Sequence, residues 1–382
     1  MSFFKNYSNW PLVALKDIAT LKRGYDLPTK NRVEGDVPIY AANGINGSHN
    51  EVKIKGPGVI TGRSGTIGKV HFTEQDYWPL NTSLYVTDFH GNNPKWVFYM
   101  LRAFQLERFV EGAGVPTLNR NLVHDELIPL PPPEEQKRIA AILDKADAIR
   151  QKRKQAIELA NEFLRSVFLD MFGDPVTNPK GWEVKNIVDL AAKEKHAIKR
   201  GPFGGALKKD IFVDSGYLVY EQYHALNNDF EFARYFIDES KYQELEAFKV
   251  SSGDIIISCS GVNLGRLAIV PEGSSKGIIN QALLKVKLDE SKMLNDMFVA
   301  IFTHPNFKNE FFGDHRGSGV PNFPPMSTFK EFGFIVPPLD EQKRYLKVVD
   351  KVRELKRKIV NSVSSADEQF NSLSQKAFSG QL

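Results

Sequence analysis

Residues 131–150 read PPPEEQKRIAAILDKADAIR, and residues 337–357 read PPLDEQKRYLKVVDKVRELKR. Each opens on proline, passes through acid and E-Q-K-R, and continues in a long apolar rhythm with Asp-Lys at the same place. Glu135 returns as Glu341, Arg138 as Arg344 and Asp144-Lys145 as Asp350-Lys351, all at one spacing. A fixed spacing marks an internal repeat, and a repeat governs the architecture of the chain that contains it.

Followed towards the N-terminus, the repeat covers most of the chain. Trp10, Leu15, Asp17, Ile18 and Ala19 match Trp182, Ile187, Asp189, Leu190 and Ala191. VITGRSGTIGK from Val59 matches IIISCSGVNLGR from Ile255, LNTSL from Leu80 matches INQAL from Ile279, and GAGVP from Gly112 matches GSGVP from Gly317. The spacing widens along the chain, so the second copy carries extra residues, most of them between Ala191 and Ser260.

Each copy changes its pattern once. From Trp10 to Leu130, and again from Trp182 to Val336, short β-branched and aromatic runs alternate with Gly, Asn and Pro clusters, which predicts strand-rich α/β segments. After each Pro-Pro the pattern turns helical. Glu134, Glu135, Asp340 and Glu341 fall in the first turn, where they suit the positive end of the helix dipole. Leu143, Ala146, Ile157, Ala160, Leu164, Val167 and Met171 keep a 3,4 spacing interrupted by Arg150 and Arg153. Val349, Val352, Ile359, Val363, Ala366, Phe370, Leu373 and Ala377 do the same, interrupted by Lys356. These heptads predict helices of about 37 residues, roughly 55 Å each, paired as an antiparallel coiled coil. The expected fold is mixed α/β (α+β): a strand-rich segment over 1–131, a long helix over 132–174, a second segment over 175–337 and a second long helix over 338–382, with pseudo-twofold symmetry. The alternative is two unrelated amphipathic helices, each lying on its own segment.

The chain has 382 residues, 42% hydrophobic and 25% charged, with one cysteine and a net charge of +4. This is a globular composition of two or three domains. Cys259 alone supports neither a disulfide framework nor a multi-cysteine zinc site, and a reducing cytoplasm is the expected compartment. The start MSFFKNYSNW lacks a signal-peptide pattern, and no apolar run reaches the length of a membrane span. The mild positive charge permits an acidic partner such as DNA without requiring one.

Enzymatic motifs fit poorly. Asp340, Glu341 and Lys343 place their acids side by side, whereas a metal-dependent nuclease gathers Asp and E-x-K across strands. NFPPM from Asn322 has Phe323 where the N-P-P loop of adenine methyltransferases needs proline. GPFGG from Gly201 lacks the G-K-[ST] ending of a phosphate loop. Eight scattered histidines offer no metal-ligand spacing. No catalytic residue and no metal ligand is expected.

In combination, the P-P-x-x-E-Q-K-R helix starts, the junction FGDPVTNPKGWEVKNI, the stretch RGPFGGALKKD from Arg200 and the C-terminal QKAFSGQL resemble the specificity subunits of type I restriction–modification systems. The resemblance implies two target-recognition domains, each reading one half of an asymmetric, split double-stranded DNA sequence. It implies two helices that set the spacing and dock two modification (methyltransferase) subunits. S-adenosylmethionine, ATP and Mg then belong to partners, namely the modification subunits and the restriction/translocase subunits, and the assembled complex acts as an adenine methyltransferase and ATP-dependent endonuclease. The rivals are a stand-alone DNA methyltransferase or nuclease, and a pure protein scaffold.

Phosphate contacts need Lys, Arg and backbone amides, and base reading needs bidentate side chains on rigid loops. The first segment offers Lys22, Arg23, Tyr25, Asn43, Arg63, Ser64, Lys69, Asn81, Asn119 and Arg120. The second offers Lys199, Arg200, Lys208, Lys209, Gln222, Tyr223, Ser260, Asn263, Arg266, Gln281 and Arg316. For any one of them the alternative is a turn residue or a solvated charge. The helices also carry a second apolar stripe, Ile139, Ile142 and Ile149 on one and Tyr345, Val348 and Leu355 on the other. It suits partner helices, or a stripe covered by the neighbouring segment.

Overall fold

The computed structural model describes residues 2–112, 116–203, 205–261, 263–313 and 323–382. It divides into two compact units, one formed by 1–157 with 358–382, the other by 158–357. The long helices are single elements, Pro133–Phe172 and Leu339–Ser379, and each contributes one half to each unit. The compact units therefore do not follow the element boundaries: every strand-rich segment is built together with half of each helix.

In the first unit, strands Thr20–Arg23, Ser83–Asp88, Gly58–Gly62 and Val70–Thr73 lie side by side in that order, all antiparallel. In the second, Ile198–Arg200, Leu283–Val286, Ile255–Ser258 and Leu267–Ile269 repeat the same order. A parallel pair accompanies each sheet, Val37–Ala41 with Trp78–Pro79 and Tyr217–Tyr220 with Gly277–Ile279. A short antiparallel pair closes each segment, Leu12–Ala14 on Leu127–Pro129 and Glu183–Asn186 on Gly333–Val336. The sequence repeat is thus a repeat of topology.

The helix Pro94–Ala103 shows how the first core forms. Asn93 caps it, accepting the Trp96 N–H at 3.0 Å, and Pro94 supplies a preset φ at its first position. Trp96, Val97, Met100 and Leu101 are buried with Leu21, Val59 and Leu84 of the sheet, Ile139 and Leu143 of the first long helix, and Phe370 and Phe378 of the second. Helix Asn295–Thr303 does the same in the second unit, burying Met297, Phe298 and Phe302 against Phe168 and Phe172 of the first long helix and Tyr345 and Val349 of the second.

Within each unit the two helix halves run antiparallel. In the first, Arg150 Nε lies 3.2 Å from Asp367 Oδ1 and Arg153 Nη1 donates to the Ser362 carbonyl at 2.6 Å. In the second, Lys356 Nζ donates to Asn161 Oδ1 at 2.7 Å, and the Tyr345 ring stands edge-on to Phe168 and Phe172. All three cations that interrupt the apolar rhythm reach from one helix to the other. Each helix also covers both segments, so the antiparallel pairing holds and the alternative of two unrelated helices, each lying on its own segment, does not.

The repeated E-Q-K-R has a structural cause. Gln136 is 1% and Gln342 0% exposed. Each donates from Nε2 into the Pro-Pro turn, to Pro131 O at 3.0 Å or Pro337 O at 2.8 Å. Each accepts from the start of the segment helix, Asn93 N or Leu294 N, both at 2.9 Å. A buried amide must satisfy its donors and acceptors, and here doing so fastens the long helix to its segment. A second duplicated device sits at each segment entry, where Asn6 and Asn178 exchange two hydrogen bonds with the backbones of Trp10 and Trp182.

Candidate nucleic-acid interface

In the first unit the strand ending at Gly62 delivers Arg63 and Ser64 into an irregular turn. Both amides donate to the Thr82 carbonyl, at 2.9 and 3.2 Å, and the Arg63 carbonyl accepts the Leu118 N–H at 2.8 Å. Gly62 is required there, because a methyl group on it would lie 1.7 Å from the Thr66 carbonyl oxygen. Arg63, Arg23 and Arg120 line one cleft of about 390 Å³ with Asn119, Asn121, Thr117 and Glu111. None of the three arginines forms an ion pair among the described residues. Asn119 caps its short helix by accepting the Asn121 N–H at 3.0 Å, and its Nδ2 donates to Glu111 Oε2 at 2.7 Å. The cleft therefore holds three guanidinium groups against one carboxylate, an arrangement that attracts anions.

His124 closes the helix that begins at Arg120. Its Nε2 accepts the Leu21 N–H at 2.9 Å, and burial, reinforced by the Arg120 charge, holds its pKa below the usual histidine value.

The other first-segment candidates go elsewhere. Asn43 and Lys69 line a separate groove of about 1050 Å³ between the sheet and the first long helix, with His71, Asp144, Asp147 and Gln151. Burial lowers the His71 pKa there. Tyr25 donates or accepts at the Tyr85 hydroxyl, 3.0 Å away, and Asn81 donates to the Asp26 carboxylate. Lys22 is exposed on the strand that ends at Arg23. Lys53, absent from the candidates, lies over the Tyr25 and Trp78 rings at 4.7 and 5.1 Å.

In the second unit Gln222 and Ser260 come together. Gln222 Nε2 donates to Ser258 Oγ and to the Ser260 carbonyl, both at 2.9 Å. Tyr223 beside it is exposed, its ring 4.1 Å from that of Phe232. Asn263 and Arg266 sit on the turn after Ile255–Ser258, joined by the Arg266 N–H to the Asn263 carbonyl at 3.2 Å. Lys199 lies over Phe248 and Arg200 over Phe203, at 5.0 and 5.3 Å. Gly201 permits the close approach that follows, since a methyl group there would stand 1.8 Å from the Asn280 carbonyl oxygen. Gln281, Lys208 and Lys209 are exposed, and Arg316 lies outside the described residues. Lys308 was not legible as a candidate. Burial and the neighbouring Arg266 charge lower its pKa, and the helix Pro305–Phe312 that carries it is remote from Arg266 in sequence.

The position that matches Arg63 is Cys259, fully buried, its thiol pushed up to about 12 by burial. Among the described residues no group of three His, Cys, Asp or Glu side chains is placed to hold a metal ion, and no helix is long and apolar enough to cross a membrane.

On the long helices, Ile139 and Tyr345 are enclosed in their units' cores, at 0% and 4% exposure. They cannot serve as a docking surface, because the segments already cover them. Ile142 and Val348 are half-buried, while Ile149 and Leu355 stay exposed. The second unit additionally exposes Leu159, Phe163 and Leu169, and the first exposes Val360.

The profile of the type I restriction modification DNA specificity domain matches residues 7–159 and again 179–365. The chain is 23% identical over 413 residues to the type I restriction enzyme MjaIX specificity subunit of Methanocaldococcus jannaschii, covering 91% of each chain. It is 24% identical over 306 residues to the MjaVIII specificity subunit of the same organism, covering 73% of this chain and 68% of that one. Its fold is similar to the S subunit of the type I restriction–modification system of M. genitalium, with a TM-score of 0.58 and 15% identity over 98% of this chain and 97% of that one. A chain from a structure of type I R-M complex assembly and conformational transition superposes with a TM-score of 0.54 and 15% identity, covering 99% of this chain and 100% of that one.

Proposed function

The chain belongs to the type I restriction modification DNA specificity family, and from that premise we propose that it is the DNA-recognition subunit of a type I restriction–modification complex. Each strand-rich segment reads one half of an asymmetric bipartite site in double-stranded DNA. The long helices set the spacing and dock two modification subunits. The chain contributes no catalytic group of its own. S-adenosylmethionine enters with the modification subunits, and ATP and Mg with restriction/translocase subunits, all in the cytoplasm.

The observation that supports this most directly is the cleft in which Arg23, Arg63 and Arg120 converge with no ion pair of their own among the described residues. Arginines without an ion pair among the described residues, beside a hydrogen-bonded turn, suit a polyanion whose bases are to be read. Phosphate-dominated binding is steeply salt-dependent, so the assembled complex should lose DNA as salt rises.

The decisive experiment incubates the purified chain with duplex DNA and labelled S-adenosylmethionine, alone and with the modification partner. Methyl transfer that begins only when the partner is added is expected. Transfer or cleavage by the chain alone would establish a stand-alone enzyme instead. Replacing residues 182–336 by those of a relative should alter only one half of the methylated sequence.

A further inference from the structure

The three arginines of the first cleft are held differently, and the difference gives them different tasks. Arg63 is half-buried and its backbone is fixed on both sides, to Thr82 and to Leu118. Gly62 before it donates its N–H to the Lys69 carbonyl at 3.3 Å, and Ser64 after it pairs with Thr117. Arg23 and Arg120 are exposed, one at a strand end and one at the start of a short helix.

A phosphate tolerates a mobile cation, since it carries no sequence information. A base edge does not, because two donors must meet two acceptors in one plane. The guanidinium fork fits O6 and N7 of guanine in the major groove. Arg23 is also held at its backbone, paired with Leu84 in the sheet, but among the three Arg63 alone is half-buried as well as fixed, so its side chain is held along with its root. Glu111, the one acid of the cleft lining, accepts from Asn119 Nδ2, and among the described residues no ion pair joins it to Arg63.

The matched position in the second unit supports the assignment by contrast. Cys259 there is buried, and its thiol, pushed up to about 12, stays protonated at neutral pH. It presents no fork. The two copies therefore differ at this position, with a guanidinium in the first and a buried thiol in the second.

We propose that Arg63 reads a guanine in the major groove of the first half-site, with Arg23 and Arg120 holding flanking phosphates. The assignment rests on the chain being a DNA specificity subunit.

The test uses the complex assembled with its modification partner, and duplexes that carry the methylated motif or each single-base change in it. Arg63→Ala should lower discrimination at one guanine of one half-site by roughly 10- to 100-fold, with every other position unaltered. Arg120→Ala should weaken all duplexes alike and reduce the salt slope by about one. Arg63→Met keeps the side-chain stem and should reproduce the alanine result, which guards against a variant that merely misfolds. Uniform weakening by both Arg63 variants would make Arg63 a phosphate contact and overturn the proposal, as would an unchanged motif. A wild-type complex with no sequence preference at all would instead defeat the specificity-subunit assignment on which this one stands.

Discussion

The Gln136 side-chain oxygen accepts the Asn93 backbone N–H at 2.9 Å, across the joint between the first long helix and the helix Pro94–Ala103. Gln136 Nε2 also donates to Asn92 Oδ1 at 2.8 Å. Leucine at this place would fill the volume and leave the Asn93 N–H and the Pro131 carbonyl without partners. Each unsatisfied buried group costs about 1–3 kcal/mol. Gln136→Leu should therefore lower the urea midpoint clearly, while Lys137→Ala, one residue on and exposed, should not. Equal midpoints would show that the amide is not the fastening.

The ion pairs beside these joints have opposite polarity in the two units. In the first, Lys95 and Arg102 of the segment helix face Asp144 and Asp147 of the long helix at 3.5 and 3.2 Å. In the second, Asp296 of the segment helix faces Arg353, whose Nη1 donates to it at 3.0 Å. Asp296→Lys and Arg353→Asp should each destabilise the second unit, and the double variant should recover most of the loss. The coupling expected for so exposed a pair is on the order of 1 kcal/mol or less. A double variant with the summed loss of the two singles would mean the charges do not act on each other.

Much of this was legible because the chain states its design twice. Matching Trp10 with Trp182 and Val59 with Ile255 aligns segments that the fold then builds with one strand order. The task of Gln136 was not legible, since a polar residue on a helix start looks solvated until its burial is known. Arg63 and Lys69 flank one glycine-rich turn yet line different hollows, which no spacing reveals. Ile139 and Tyr345 belong to a real second stripe. Helical periodicity shows that a stripe exists, and only the packed segments decide that these two residues are covered.

His124 makes the first unit acid-sensitive. Its Nε2 accepts the Leu21 N–H, so the neutral ring is the bonded form, and burial with the Arg120 and Lys16 charges outweighs the nearby Asp125 to hold the pKa below 6.5. The folded state then binds fewer protons than the unfolded one, and stability rises with pH. The contribution is complete above about 6.5, the unfolded value, and is lost as pH falls from there to the folded pKa. Urea midpoints measured from pH 7.5 down to 5 should decline. His124→Gln keeps an acceptor without a titration and should flatten the decline, leaving the part due to His71, His196 and His304, which desolvation lowers in the same direction. An unchanged slope would remove His124 from the account.

Partner docking has its clearest test in the second unit. Leu159 and Phe163 stand one turn apart on the first long helix, 55% and 51% exposed, and Leu355 of the second helix is exposed as well. Residues four apart on a helix share a face, and large apolar side chains at this exposure give nothing to the chain's own core. Phe163→Asp should therefore leave the unfolding midpoint within experimental error, since the carboxylate stays in water. Bound against an apolar partner face the same carboxylate would have to be desolvated unpaired, at a cost of several kcal/mol, so affinity for the modification subunit should fall by at least tenfold. Titration of the variant with the modification subunit, read by gel filtration and calorimetry, separates the two effects. Undiminished affinity would place the docking surface elsewhere on the chain and leave this apolar face without a partner.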